Sequence, residues 1–95
     1  MFDTEIPFEI HITTDNLSSG RQTDFVDFCT ARNAKPLMIE LAKGDFIRQP
    51  MFSKTVYATS VEHILTTATE ISVAMNSGQF PVKRLKIEVP SEHAG

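Results

Sequence analysis

The chain has 95 residues, of which 41% are hydrophobic and 22% charged, and its formal net charge is -3. This length is enough for one domain, and the ordinary composition excludes a disordered or low-complexity chain. The acidic balance disfavours a protein that grips a phosphate backbone, so no nucleic-acid partner is predicted.

The cysteine count and the lack of long apolar runs predict the compartment. Cys29 is the single cysteine, so within one chain neither a disulfide nor a cysteine metal cluster can form, and a reducing cytoplasm is expected. No apolar run approaches the roughly 18 residues that span a membrane, and residues 1–5 lack the features of a signal peptide. We therefore expect a single cytoplasmic domain over residues 1–95, with residues 1–6 and 90–95 frayed and no membrane contact.

A period-two pattern predicts the first strand over residues 8–13. Its apolar side chains alternate with polar ones, as Phe8, Ile10 and Ile12 against Glu9, His11 and Thr13. A first helix follows over about residues 21–33, with Phe25, Phe28 and Cys29 on its core-facing side. Asn33, in left-handed geometry, is expected to end this helix.

The second strand is predicted over residues 37–41. Its alternation puts Leu37, Ile39 and Leu41 on the core face, and Met38 and Glu40 on the other. Residues 46–53 are ambiguous because Pro50 lacks a backbone donor, so this stretch is either a bulged edge strand or a projecting arm before a regular strand over residues 54–59. The register near Pro50 therefore leaves the direction of Thr55 and Tyr57 open.

The second helix has the clearest periodicity in the chain. Thr59 and Glu62 fit a capping box, and Gly78 is well placed to end the helix. Apolar residues follow the helical spacing at Val61, Ile64, Leu65, Ala68, Ile71 and Met75. A last strand is predicted over residues 82–89, where Leu85, Ile87 and Val89 alternate with Arg84, Lys86 and Glu88.

This order of elements predicts an α+β fold. A βαββαβ chain with right-handed crossovers folds into a ferredoxin-like two-layer sandwich, with two helices on one face of a four-stranded antiparallel sheet. The other face of the sheet is left open, and function is expected on that face.

The first functional hypothesis is association without catalysis, as a homodimer or with a protein partner. It uses the open sheet face or the irregular edge at residues 46–54, where Arg48, Met51 and Phe52 are candidate interface residues. An alternative interpretation of that segment is a β-bulge whose Met51 and Phe52 close the end of the core.

The second hypothesis starts from His11-Ile12-Thr13, which resembles the His-x-Thr motif of the 2H phosphoesterases. That resemblance implies a histidine acting as acid or base on a phosphodiester, with Thr13 beside it. The family uses two such motifs, and this chain has one. In this alternative, His11, Tyr57, Arg84 and Lys86 bind a small anionic ligand, with the cations holding a phosphate or carboxylate.

Other site chemistries find little support. The histidines and carboxylates lack the close spacing of a preformed metal site, and Glu40 is expected on the order of 10 Å from Glu9 and His11, so no metal and no cofactor is predicted. An RNA-binding sheet would carry stacking aromatics on its first strand, where this chain has Glu9, His11 and Thr13. Cys29 is expected to be buried, protonated and inert.

Overall fold

A computed structural model describes the backbone at residues 2–43 and 45–89, and the side chains at residues 2–38 and 49–89. The predicted frayed end at residues 90–95 and the candidate interface side chain of Arg48 lie outside these ranges. The elements are β1 (Ile6–Thr14), α1 (Ser19–Ala31), β2 (Lys35–Lys43), β3 (Asp45–Ala58), α2 (Val61–Ser77) and β4 (Val82–Glu88).

The four strands form one antiparallel sheet in the order β2-β3-β1-β4. The apolar side of β1 packs with both helices in one core, so the helices cover the same face of the sheet. This arrangement confirms the predicted α+β two-layer sandwich. Neither of the helices in the described part of the chain is long and apolar enough to cross a lipid bilayer.

Aromatic rings join α1 to the sheet and to the segment after α2. The Phe28 ring lies edge-on to both Phe80 and Phe52, with centroid distances of 5.4 and 6.1 Å. The Phe25 ring contacts Phe80 in the same way at 5.6 Å. Since edge-to-face pairs add about 0.5–1.5 kcal/mol to the burial of their area, this cluster anchors a helix that has few other apolar residues.

Cys29 lies in the same core and has no exposed surface. Burial raises the pKa of its thiol from 9.0 to about 11, although the nearby Arg32 opposes that shift. The prediction of a buried, protonated cysteine is therefore confirmed.

Both helices end by the same backbone device. Asn33 and Gln79 take positive φ angles of 55° and 65°, and the next amide bonds back into the last turn, from Ala34 N to Cys29 O and from Phe80 N to Met75 O. The prediction for Asn33 is confirmed. Gly78 does end α2, but the left-handed residue is Gln79, one position later.

The start of α2 differs from the predicted capping box. Ser60, and not Thr59, is the N-cap, and its hydroxyl accepts a hydrogen bond from the His63 amide. α1 begins after Ser18, whose side chain makes no such bond. A capping box can be shifted by one residue in sequence because Thr59 and Ser60 are both competent caps.

β3 is one continuous strand of 14 residues, not a bulge or an arm followed by a strand. Pro50 pairs with Met38 of β2, one residue beyond the Met51–Thr13 pair that ends the ladder with β1. A proline is tolerated there because only one neighbouring strand pairs with that position.

The side chains at the start of β2 point to the opposite faces of the sheet from those predicted. Leu37 pairs with Met51, and Met51 with Thr13, which places Leu37 on the open face, whereas Met38 lies opposite the buried Pro50 on the covered face. Leu37 and Met38 are exposed to nearly the same extent at this sheet edge. Burial therefore hardly distinguishes the two faces, and the register with β3 decides. The side chains of Ile39, Glu40 and Leu41 lie outside the described set.

The segment before β1 is attached to the domain. The Phe2 amide donates to Thr59 O at 2.6 Å, and the Phe2 ring lies 6.1 Å from the Phe8 ring. Phe2 therefore contacts both the segment that leads into α2 and the strand β1, and the predicted fraying of residues 1–6 stays a prediction.

Candidate functional site on the open sheet face

The open face is organised by β1, which lies between β3 and β4. His11 is paired with Ser53 on one side and Lys86 on the other, and Thr13 is paired with Met51 and Arg84. In an antiparallel sheet, directly paired residues point to the same face with Cβ atoms about 4.5–5.5 Å apart. The strand register thus brings polar residues from distant parts of the sequence side by side.

A cavity of about 180 Å³ lies at this position. Its walls come from three strands and consist of His11, Thr13, Met51, Arg84, Lys86 and Glu88. Four of these six side chains are ionisable, so the cavity can recognise a charged or strongly polar group.

Charge changes sign along the β4 side of this cavity. Arg84 and Lys86 lie opposite Thr13 and His11, while Glu88 lies opposite Glu9. Lys86 Nζ is 3.2 Å from Glu88 Oε1, which neutralises part of the lysine charge. The end of the cavity at Arg84 is therefore cationic, and the end at Glu88, which lies opposite Glu9, is anionic.

His11 lies between these two ends with only 16% of its side chain exposed. Its Nε2 atom is 3.8 Å from Glu88 Oε1, which is an ion-pair separation beyond hydrogen-bond reach. Its Nδ1 atom is buried and finds no hydrogen-bond partner within the described residues. A catalytic base is normally oriented by a hydrogen bond through its second nitrogen, and His11 has none.

Glu9, His11 and Glu88 also form a group of metal-ligand types. One donor atom from each lies within 4.8 Å of the others. Imidazole and carboxylate are ligands that divalent metals accept. Lys86 already places a positive charge beside Glu88, so a side chain supplies charge balance where a metal ion would otherwise supply it. From the sequence, Glu40 was the carboxylate weighed as a metal ligand together with Glu9 and His11. Its side chain lies outside the described set.

The predicted ligand residues fall into two groups. His11, Arg84 and Lys86, together with Thr13, line one cavity. Tyr57 is on the same face but pairs with Pro7, four residues from His11 along β1, which corresponds to about 13 Å. Tyr57 is 61% exposed and is separate from this site.

The predicted interface residues are also divided. Met51 lines the cavity on the open face. Phe52 points to the covered face, where it is fully buried and packs against Phe28. Phe52 therefore has no surface to offer a partner, and closing the core, the alternative interpretation, describes its role.

Glu88 and Met51 were missed as members of the His11 site. The alternation of Arg84, Lys86 and Glu88 in β4 did place Glu88 on the open face. Its proximity to His11 and Glu9 requires the antiparallel β1–β4 register, which no local pattern contains.

A larger cavity of about 310 Å³ lies on the covered side, between the start of α1 and the β2–β3 hairpin. Gln22, Val26, Met38 and Pro50 are among its lining residues, and no ionisable side chain lines it. The smaller cavity is the better candidate for a functional site, since it alone of the two collects titratable groups.

Comparisons with known proteins add no relative: no family model, no curated protein and no solved structure matches this chain.

Proposed function

We propose that this protein binds a small anionic ligand on the open face of its sheet. The observation that carries the proposal is the shared cavity of His11, Thr13, Arg84 and Lys86. Two cations, a hydroxyl and an imidazole from two antiparallel strands converge there. This is the donor set that a phosphate or carboxylate group requires.

The ligand is held at the cationic end of the cavity. Arg84 can donate two parallel hydrogen bonds to a phosphate or carboxylate, and the Lys86 ammonium adds a second charge. The Thr13 hydroxyl contributes a neutral donor beside Arg84. The carboxylates of Glu9 and Glu88 repel an anion from the other end, so the polarity of the cavity also orients the ligand.

Binding is better supported than catalysis. Among the described residues, none forms a hydrogen bond that orients the His11 ring, and the sequence contains one His-x-Thr motif where the phosphoesterase chemistry uses two. His11 is therefore assigned a contact role, as donor or acceptor toward the ligand. The phosphoester-processing alternative stays a prediction, which turnover by wild type and its loss in His11→Ala would support.

Association through the open face or residues 46–54 also stays a prediction. Its candidate contact Phe52 is buried, and the centre of the open face is polar, which weakens both surfaces as apolar interfaces. The expected cytoplasmic location also stays a prediction. It rests on the single cysteine, Cys29, which is a buried free thiol.

The test is a titration of isotopically labelled protein with inorganic phosphate, followed by amide chemical shifts. We expect the amide signals of His11, Thr13, Arg84 and Lys86 to shift together. A parallel titration with acetate tests whether a carboxylate binds at the same residues. Arg84→Ala should raise the dissociation constant about 10-fold or more, because a charge-assisted hydrogen bond contributes roughly 1.5–3 kcal/mol.

Lys83→Ala is the matched control. Lys83 is adjacent to Arg84 and equally cationic, but its Nζ atom lies 3.3 Å from Asp15 Oδ1 and it does not line the cavity. Equal loss of affinity in both variants would mean that general charge is responsible. That result, or the absence of shifts at these strands, would overturn the proposal.

A further inference from the structure

The outer edge of β4 combines three features that together describe a surface for a second copy of this chain. β4 is the last strand of the sheet, so one side of its backbone has no neighbour in the described part of the chain. Free strand edges of this kind are templates for pairing with another strand. The other two features are an apolar flank above the edge and a self-complementary charge pattern along it.

The apolar flank lies on the covered side of the sheet. Leu85 pairs with the buried Ile12, so it points toward the helix layer, yet it remains 40% exposed. Asn76 identifies the side of α2 that is nearest to β4, because its Oδ1 accepts a hydrogen bond from the Val82 amide of β4.

Leu65 belongs to this same flank of α2. It is eleven residues before Asn76, which is three helical turns, so both lie on the side of α2 that faces β4. Leu65 is 51% exposed, and Val61, one turn earlier, is exposed to the same degree. Leu65 and Val61 on α2 and Leu85 on β4 are thus half-exposed apolar side chains on the side of the molecule where β4 ends the sheet, and we call these three residues the β4 flank.

The charges on the other side of β4 restrict which strand can pair there. Three cations on one short strand, Lys83, Arg84 and Lys86, repel an arbitrary edge, which is how natural sheets avoid indiscriminate pairing. An antiparallel pair of two β4 strands centred on Leu85 would place Arg84 opposite Lys86 twice, and like charges directly opposite each other are destabilising.

A shift of the centre by one residue changes this pattern. With Lys86 on the two-fold axis, Arg84 faces Glu88 of the second copy twice, and Leu85 faces Ile87 of the second copy on the covered side. The two Lys86 side chains meet at the axis, where each has its own Glu88 at 3.2 Å. This register opposes complementary charges and keeps both helix layers on the same face.

We propose that β4 pairs antiparallel with β4 of a second copy, in the register centred on Lys86, to form a continuous eight-stranded sheet. The two β4 flanks meet across the axis and are removed from water together. Such an interface is isologous, as expected for a two-fold dimer. The dimer does not rest on the proposed anion site, although Arg84 and Glu88 of that cavity also take part in the pairing.

Sedimentation velocity over a concentration series from micromolar to millimolar tests the assembly. Wild type should pass from monomer to dimer, and Leu65→Glu should weaken the dimer by 10-fold or more in dissociation constant. Val26→Glu is the matched control, because Val26 is 44% exposed but lies on α1, beside the cavity at the hairpin. A chain that stays monomeric, or a dimer equally sensitive to both variants, would overturn the proposal.

A charge swap tests the register. Arg84→Glu and Glu88→Arg should each weaken the dimer, because each places like charges opposite each other, and the double variant should recover it. Failure of the double variant to recover would overturn the register. Hydrogen exchange gives an independent measurement, since the outward amides of β4 should gain protection only at dimer-forming concentrations.

The two proposals fail separately. Leu65→Glu leaves the anion cavity intact, so phosphate shifts should persist in a monomeric Leu65→Glu protein. An extended peptide of another protein that protects the β4 amides without dimer formation would show that the edge takes a different partner, and would overturn the second-copy proposal.

Discussion

The two faces of the sheet follow different rules, although they share the same four strands. On the covered face, Phe8, Ile10, Ile12 and Phe52 are buried against the helices, and the energy comes from apolar area. On the open face, charged and hydroxyl side chains of neighbouring strands lie side by side around a cavity that opens to solvent. Stability therefore depends on the covered face, whereas the anion recognition proposed above uses the open one.

Two aromatic residues of β3 that point to opposite faces give the sharpest test of this contrast. Phe52→Ala should destabilise the domain by about 3–5 kcal/mol, since it removes a fully buried ring. Tyr57→Ala, at an exposed position five residues later, should cost less than about 0.5 kcal/mol. Urea unfolding of the two variants measures both values, and comparable losses would contradict the division between the faces.

The thiol of Cys29 tests how dry the covered face is. Its pKa is near 11 when folded and near 9.0 when exposed, so the folded state retains the proton more strongly. The stabilisation is fully present below pH 9 and is lost as the pH rises through 11, by an amount on the order of 2 kcal/mol. Wild type and Cys29→Ala should therefore converge in unfolding free energy between pH 8.5 and 11, with their difference constant below pH 8.5.

Labelling with a thiol reagent is an independent measure of how well the core shields Cys29 from water. Native protein at pH 8 should react slowly, and denatured protein rapidly, because burial keeps the thiol protonated and shielded. Fast labelling of native protein would show that the core at α1 is open.

The smallest expected effect concerns the helices that cover the sheet. Ser60→Ala removes the cap bond to the His63 amide and should cost about 1 kcal/mol. Ser18→Ala is the matched variant at the start of α1, where no cap bond exists, and it should be close to neutral. Thermal unfolding of both distinguishes a cap that holds the helix layer from a serine that merely precedes a helix.

Local periodicity explains which predictions were correct. The alternation in β1 and β4 has strong polar contrast, so it correctly placed His11, Thr13, Arg84 and Lys86 on one face. In β2 the contrast between Leu37 and Met38 is weak, and the predicted facing was wrong. At Phe52 the pattern around Pro50 was ambiguous, and the side chain proved to belong to the core.

The sequence by itself determined the order of the elements, the sandwich fold and the residues that alternate on β1 and β4. These follow from backbone geometry, which repeats every two residues in a strand and every 3.6 in a helix. Tertiary structure alone decided that Glu88 lies beside His11, that Tyr57 lies apart, and that β4 is the last strand of the sheet in the described part of the chain. Those relations depend on strand order and register, which join residues far apart in the chain and leave no periodic trace in it.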